Sequence, residues 1–134
     1  MILRGEVLID GKAEGPLFRL GKPISFWGGV DPMTGRIIDP RHPDHGATVA
    51  RTVLTLTETI GSSSSSAVML ELLSKGLAPC ALLMGRPDAI LTLGVVVARE
   101  IGIGSIPVLQ VDVTRIPRAG NATIVEGGEI SFAD

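Results

Sequence analysis

From Thr52 to Val113 the chain alternates strand-like and helix-like segments, and this alternation limits its fold more than any other feature. "TVLTLT" (Thr52–Thr57) is apolar and β-branched and reads as a buried strand. "AVMLELLSKG" (Ala67–Gly76) reads as a helix. Glu71 and Lys75 stand four apart, Lys75 suits the negative helix end, and Gly76 then Pro79 mark the stop. "PCALLMG" is a short apolar strand. "RPDAILTLGVVVAREIG" is rich in β-branched residues, but its length, its Pro87-Asp88 start and its Gly102 stop predict a helix. "SIPVLQVDV" is a strand again. Such a β–α–β–α–β run implies a mostly parallel sheet with helices packed on it.

The flanking segments add β structure. "ILRGEVLID" (Ile2–Asp10) reads as one strand ending in an Asp-Gly turn, and "PLFRL" and "PISFW" are short apolar runs. "NATIVEGGEISF" reads as two final strands. The expected fold class is therefore α/β of β/β/α layering, a single domain over residues 1–134. Between Gly28 and Gly46 lies "GGVDPMTGRIIDPRHPDHG", a long stretch crowded with Gly, Pro and Asp. A loop of that length in a small domain is functional or disordered.

The chemistry-bearing feature is "GSSSSS" (Gly61–Ser66), set between the Thr52–Thr57 strand and the following helix. Ligands of parallel α/β sheets bind beyond the carboxyl ends of strands, and a helix start offers unpaired N–H groups and a positive dipole end. Gly61 would let backbone approach a ligand closely. Two readings stay open: a cap followed by solvated loop, or a binding or catalytic loop. The Walker-type phosphate-loop spacing is missing. Asp31 follows Gly28-Gly29, where backbone can also approach a ligand, and a turn role suits it equally. His42, His45, Asp39 and Asp44 bear donor atoms for a metal, yet two prolines interleave and no regular element fixes their spacing, which favours solvated loop. Cys80 is expected in the core.

Composition narrows the function classes. Net charge is −2 with scattered basic residues, and aromatics are 3% with no Tyr, so neither a basic footprint nor a stacking platform for nucleic acid is present. A single cysteine excludes an internal disulfide or an all-cysteine metal site. The N-terminus lacks signal-peptide features, and the longest strongly apolar stretch, "AILTLGVVVA", is too short for a bilayer, so no membrane association and a cytoplasmic location are expected. Apolar residues at 45% and a mean hydropathy of +0.40 fit either a tightly packed domain or one that covers part of its face with a partner. No complete acid–base or nucleophile set is evident; a catalytic role would need half the site from elsewhere.

"ISFWGGVDPMTGRIIDPRHPDHG" followed by "GSSSSSAVMLELLSKGLAPCALLM" resembles the small subunit of the aconitase X group, over nearly the whole chain. The resemblance implies the swivelling β/β/α domain of aconitase, working against a large subunit. That partner would hold an iron or iron–sulfur centre, with no metal bound by this chain. It implies dehydration of a small hydroxy-acid or hydroxy-amino-acid, with Ser62 as catalytic base and Ser63 and Ser64 donating hydrogen bonds to Ser62 or to the substrate; Gly61, Gly29 and Asp31, where backbone can approach a ligand, complete the expected substrate-binding set. Aconitase places a carboxylate-binding arginine where this chain has Ser64, which points to a different substrate. Within the group, hydroxyproline dehydratases resemble this serine-only loop, whereas phosphomevalonate dehydratases carry a lysine before the glycine. The swivelling architecture also serves as a phosphohistidine domain, for which His45 would be the carrier, or as a stand-alone binding module.

Overall fold

A computed structural model describes residues 1–134. The elements in chain order are β1 (Ile2–Arg4), β2 (Glu6–Ile9), β3 (Ala13–Arg19), a kinked helical turn α1 (Phe26–Gly29), β4 (Val53–Leu56), α2 (Ser65–Lys75), β5 (Ala81–Met84), α3 (Ala89–Glu100), β6 (Val108–Gln110), a 3-10 turn (Val113–Arg115), β7 (Asn121–Val125) and β8 (Glu129–Ala133). The eight strands lie in the order β1-β8-β7-β3-β4-β5-β6-β2. The central run β3-β4-β5-β6 is parallel, as the alternation requires. The pairs β1–β8, β8–β7, β7–β3 and β6–β2 are antiparallel.

The ends of that order are consecutive in sequence. β1 and β2 are separated only by Gly5, so the sheet curls until its two edges meet, and the chain itself bridges the gap. This corrects the expectation of one strand over Ile2–Asp10. At Gly5 the chain leaves one edge for the other. Its N–H donates to the Gly128 carbonyl at 2.9 Å. A Cβ there would lie 3.0 Å from the Leu109 Cβ and 3.1 Å from the Gln110 carbonyl oxygen, so only glycine passes without displacing β6.

Strand alternation divides the core. On β4 and β5, Leu54, Leu56, Leu82 and Met84 face outward beneath the helices, where they meet Val68, Met69 and Leu72 of α2 and Leu91 and Val95 of α3. Val53, Ala81 and Leu83 face inward with Leu3, Leu17, Leu109, Ile124 and Ile130, which fill the barrel. Strands buried on both faces read as continuous apolar runs, which is why "LTL" and "ALLM" showed little polar alternation.

The helices end as expected and one begins early. Gly76 follows α2 with a left-handed φ of 70°, and Lys75 pairs with Glu71 at 2.8 Å. Asp88 caps α3, its Oδ1 accepting from Ile90 and Leu91 at 2.9 and 3.0 Å. That cap and twelve residues of length outweigh the β preference of the valine run. α2 starts at Ser65, inside the serine run. The stretch Gly28–Gly46 is folded back on itself: Val30 bridges Ile37, Arg36 bridges Thr48, and the Arg36 guanidinium donates to the Gly46 carbonyl at 2.8 Å. "SIPVLQVDV" yields only three strand residues, because Asp112 caps the 3-10 turn that follows.

Candidate functional site

The serine turn lies at the carboxyl end of β4. Its approach is held in place: Thr59 bridges Ile24, and the Ile60 N–H donates to the Ile24 carbonyl at 2.9 Å. The serines then divide their roles. Ser62 turns the chain, its carbonyl accepting from Ser65 N–H at 3.1 Å and its hydroxyl oxygen from Ser64 N–H at 3.2 Å. Ser64 occupies the N-cap position, but its side chain makes no capping bond. Ser63 is exposed. Ser65 is buried, and its hydroxyl oxygen accepts the Trp27 N–H at 3.4 Å, joining α1 to α2. Ser66 belongs to the first helical turn and donates to the Ser63 carbonyl at 3.4 Å.

The cap-and-loop reading therefore accounts for Ser62 and Ser66 and leaves the Ser63 and Ser64 hydroxyls without a bond in the chain. Gly61 is exposed with nothing within 4 Å of a would-be Cβ, so its backbone is open to approach. Beside it lies a cleft of about 270 Å³ bounded by Glu58, Thr59, Arg86 and Asp88. Thr59 donates its hydroxyl to Asp88, and Arg86 pairs with Glu58 at 3.4 Å. The geometry offers a half-buried hydroxyl that accepts a backbone N–H at a positive helix end. That arrangement favours negative charge on the Ser62 oxygen.

The other candidates have different surroundings. Gly29 is buried, and a Cβ there would lie 2.6 Å from the Ile24 Cγ1; its lack of a side chain serves packing. Gly28 is the exposed member of the pair, with φ 82°. The Asp31 carboxylate accepts the Met33 N–H at 2.9 Å while its carbonyl accepts the Gly35 N–H at 2.8 Å, which is the turn role.

His42 and Asp44 form a strap rather than a metal pair. His42 is buried; its Nδ1 accepts the Asp44 N–H at 3.0 Å and its Nε2 donates to the Lys22 carbonyl at 2.9 Å, which uses both ring nitrogens. Asp44 in turn accepts the Gly21 N–H at 2.7 Å. His45 is exposed in the same loop and does not start a helix. Cys80 is half-buried rather than in the core; burial raises its thiol pKa above the ordinary value. It precedes β5, at the end of the parallel strands opposite the serine turn. These donors do not fit an iron or iron–sulfur centre beside Ser62.

Three features of the site were not anticipated. Trp27 and Ile60, each 59% exposed, flank the serine turn as large apolar side chains facing solvent. In the sequence Trp27 is only the end of a short apolar run. Ser65 was indistinguishable from its neighbours in the run. Gly94, in the middle of α3, presses on the serine turn's helix: a Cβ there would lie 2.5 Å from the Ser66 carbonyl oxygen. A lone glycine in a helical pattern was its only signal.

Comparison with known proteins matches residues 2–131 to the family model described as the aconitase X swivel domain. The cis-3-hydroxy-L-proline dehydratase of Hypocrea jecorina is 45% identical over 130 residues, covering 96% of this chain and 22% of that protein. The phosphomevalonate dehydratase small subunit of Thermococcus gammatolerans is 35% identical over 136 residues, covering 100% of this chain and 99% of that protein. The chain thus spans about a fifth of the hydroxyproline dehydratases it matches. Among solved structures, the holo-form crystal structure of Thermococcus kodakaraensis aconitase X superposes with a TM-score of 0.89 at 29% identity, covering 100% of this chain and 99% of that one.

Proposed function

This chain belongs to the aconitase X swivel-domain family, and from that premise we propose that it is the small subunit of a two-subunit hydro-lyase dehydrating cis-3-hydroxy-L-proline in the cytoplasm. The observation that carries the reading is the Ser62 hydroxyl, set at the start of α2 with its oxygen accepting the Ser64 N–H. A neutral serine is a weak base. A backbone donor and the helix end both stabilise alkoxide character on Oγ, the state in which it removes a proton.

In the proposed step, Ser62 Oγ takes the proton from the carbon bearing the carboxylate. The electron pair of that C–H bond becomes the ring double bond, and the neighbouring C–O bond breaks, releasing the hydroxyl as water after protonation. The product is a pyrroline-2-carboxylate formed as its enamine. Gly61, Ser63 and Ser64 line the approach and donate hydrogen bonds to the carboxylate, in place of the arginine that aconitase has at Ser64. An iron or iron–sulfur centre of the large subunit would supply the Lewis acid that draws off the hydroxyl. Trp27 and Ile60 are the apolar surface that the partner would cover.

Substrate choice rests on two observations. The hydroxyproline dehydratases reach 45% and 42% identity, against about 35% for the phosphomevalonate enzymes. The residue before Gly61 is the exposed, uncharged Ile60, which offers nothing to a phosphate. The second reading, a phosphomevalonate dehydratase small subunit, is favoured by relatives of that name that match end to end. Purified with its large subunit under anaerobic conditions, the complex should prefer cis-3-hydroxy-L-proline over 5-phosphomevalonate by about a thousandfold or more in kcat/KM, because unpaired polar groups left by the wrong substrate cost that much. Preference for 5-phosphomevalonate would replace the first reading with the second.

A further inference from the structure

The inner face of the barrel turns polar toward the carboxyl ends of its parallel strands. On β3 and β4, Leu17 and Val53 are register partners within the inner core. Two residues on, Arg19 and Thr55 are partners on the same face. Thr55 is 1% exposed, and its hydroxyl is the one buried side-chain polar atom without a hydrogen-bond partner. Beside it the half-buried Arg19 guanidinium donates to the Val113 carbonyl, which fixes it across the barrel mouth.

Above this layer opens a cleft of about 460 Å³, lined by Arg19, Lys22, Arg118, Thr57 and Thr114 among others. No carboxylate lines it. Two acids bond to residues that line it. Asp44 accepts from Gly21, and Asp112 accepts the Thr114 hydroxyl at 2.6 Å and N–H at 3.1 Å from the adjoining cleft. Lys22 is held by its carbonyl bond to His42, so the strap described above also positions this rim. Three cationic residues thus line one cleft in a chain of net charge −2, an arrangement that an anion between them would favour. Barrel mouths and the carboxyl ends of parallel strands are where ligands enter such folds. This cleft shares no residue with the one beside Gly61.

We propose that Arg19, Lys22 and Arg118, with the Thr57 hydroxyl, form a binding site for a small oxyanion, phosphate or carboxylate, at the barrel mouth. Every group named is on this chain, and the proposal stands whichever substrate the complex dehydrates.

The test is titration of the full chain with inorganic phosphate at constant ionic strength, followed by amide ¹H–¹⁵N shifts. Saturable shifts are expected at Arg19, Lys22, Thr57, Thr114 and Arg118. Arg118→Gln should weaken binding by about tenfold or more while leaving the rest of the spectrum in place, since a hydrogen bond to a charged group is lost. Acetate separates the sources: shifts at the same residues mark a general oxyanion site, and shifts with phosphate alone mark a phosphoryl site. The proposal is overturned if the shifts centre on Gly61–Ser66, if chloride reproduces them, or if Arg118→Gln binds phosphate unchanged.

Discussion

Ser62→Ala should lower kcat of the assembled complex by about a thousandfold, within the range that a positioned general base contributes, while KM changes little. The split follows from the geometry. The hydroxyl is proposed to act on a proton that moves only in the transition state, so its loss affects the chemical step rather than substrate binding. The fold should survive. Ser62 is half-buried, and its side chain makes a single hydrogen bond, to the Ser64 N–H. Losing that bond costs about 1 kcal/mol. Ser63→Ala removes an exposed hydroxyl of the same run and should cost kcat far less. Equal losses in the two variants would mean that the serines act through loop shape and that Ser62 is not the base.

Gly94→Ala should destabilise the chain and slow the complex, against the ordinary rule for helices. In a helix interior, alanine is favoured over glycine by about 1 kcal/mol. Here the added methyl would lie 2.5 Å from the Ser66 carbonyl oxygen and 3.0 Å from the Met69 Cβ. A backbone oxygen cannot rotate away, so α2 and α3 must part. Overpacking of this kind costs about 1–3 kcal/mol, which outweighs the propensity gain. The melting temperature should fall by about 5 °C. The atom displaced belongs to Ser66, the second residue of the helix that follows Ser62–Ser64, so the turn should move with it and kcat should drop. A higher melting temperature, with activity intact, would show that the helices have slack at this crossing. Gly94 would then have no part in positioning the serine turn.

Elements with local punctuation could be read before their neighbours were known. α3 carries its own start at Asp88 and its own length, and α2 its own stop at Gly76. β4 and β5 are buried on both faces and declare themselves as apolar runs. The division of Ile2–Asp10 into β1 and β2 was not readable. At Gly5 the chain passes close against Leu109, far along the sequence, and no local pattern records that approach. The serine turn was found by its place after a strand and before a helix. The roles within it were not, because five identical side chains differ only in what the fold sets against them. Gly29 packs against Ile24, which its place in a glycine pair does not record, whereas the Asp31 turn is one of the two roles its sequence context allows. Of the barrel-mouth cations, Arg19 and Lys22 share one short stretch at the end of β3, while Arg118 comes from far along the chain, and no local pattern joins them.

As proposed, this chain supplies one half of a dehydratase site and a partner the other. Titrating it into its metal-loaded large subunit, while following loss of cis-3-hydroxy-L-proline, tests that most directly. Neither chain alone should turn over, and activity should rise with added chain and saturate when every large subunit is paired. Turnover by this chain alone, or full activity of the large subunit without it, would contradict the account.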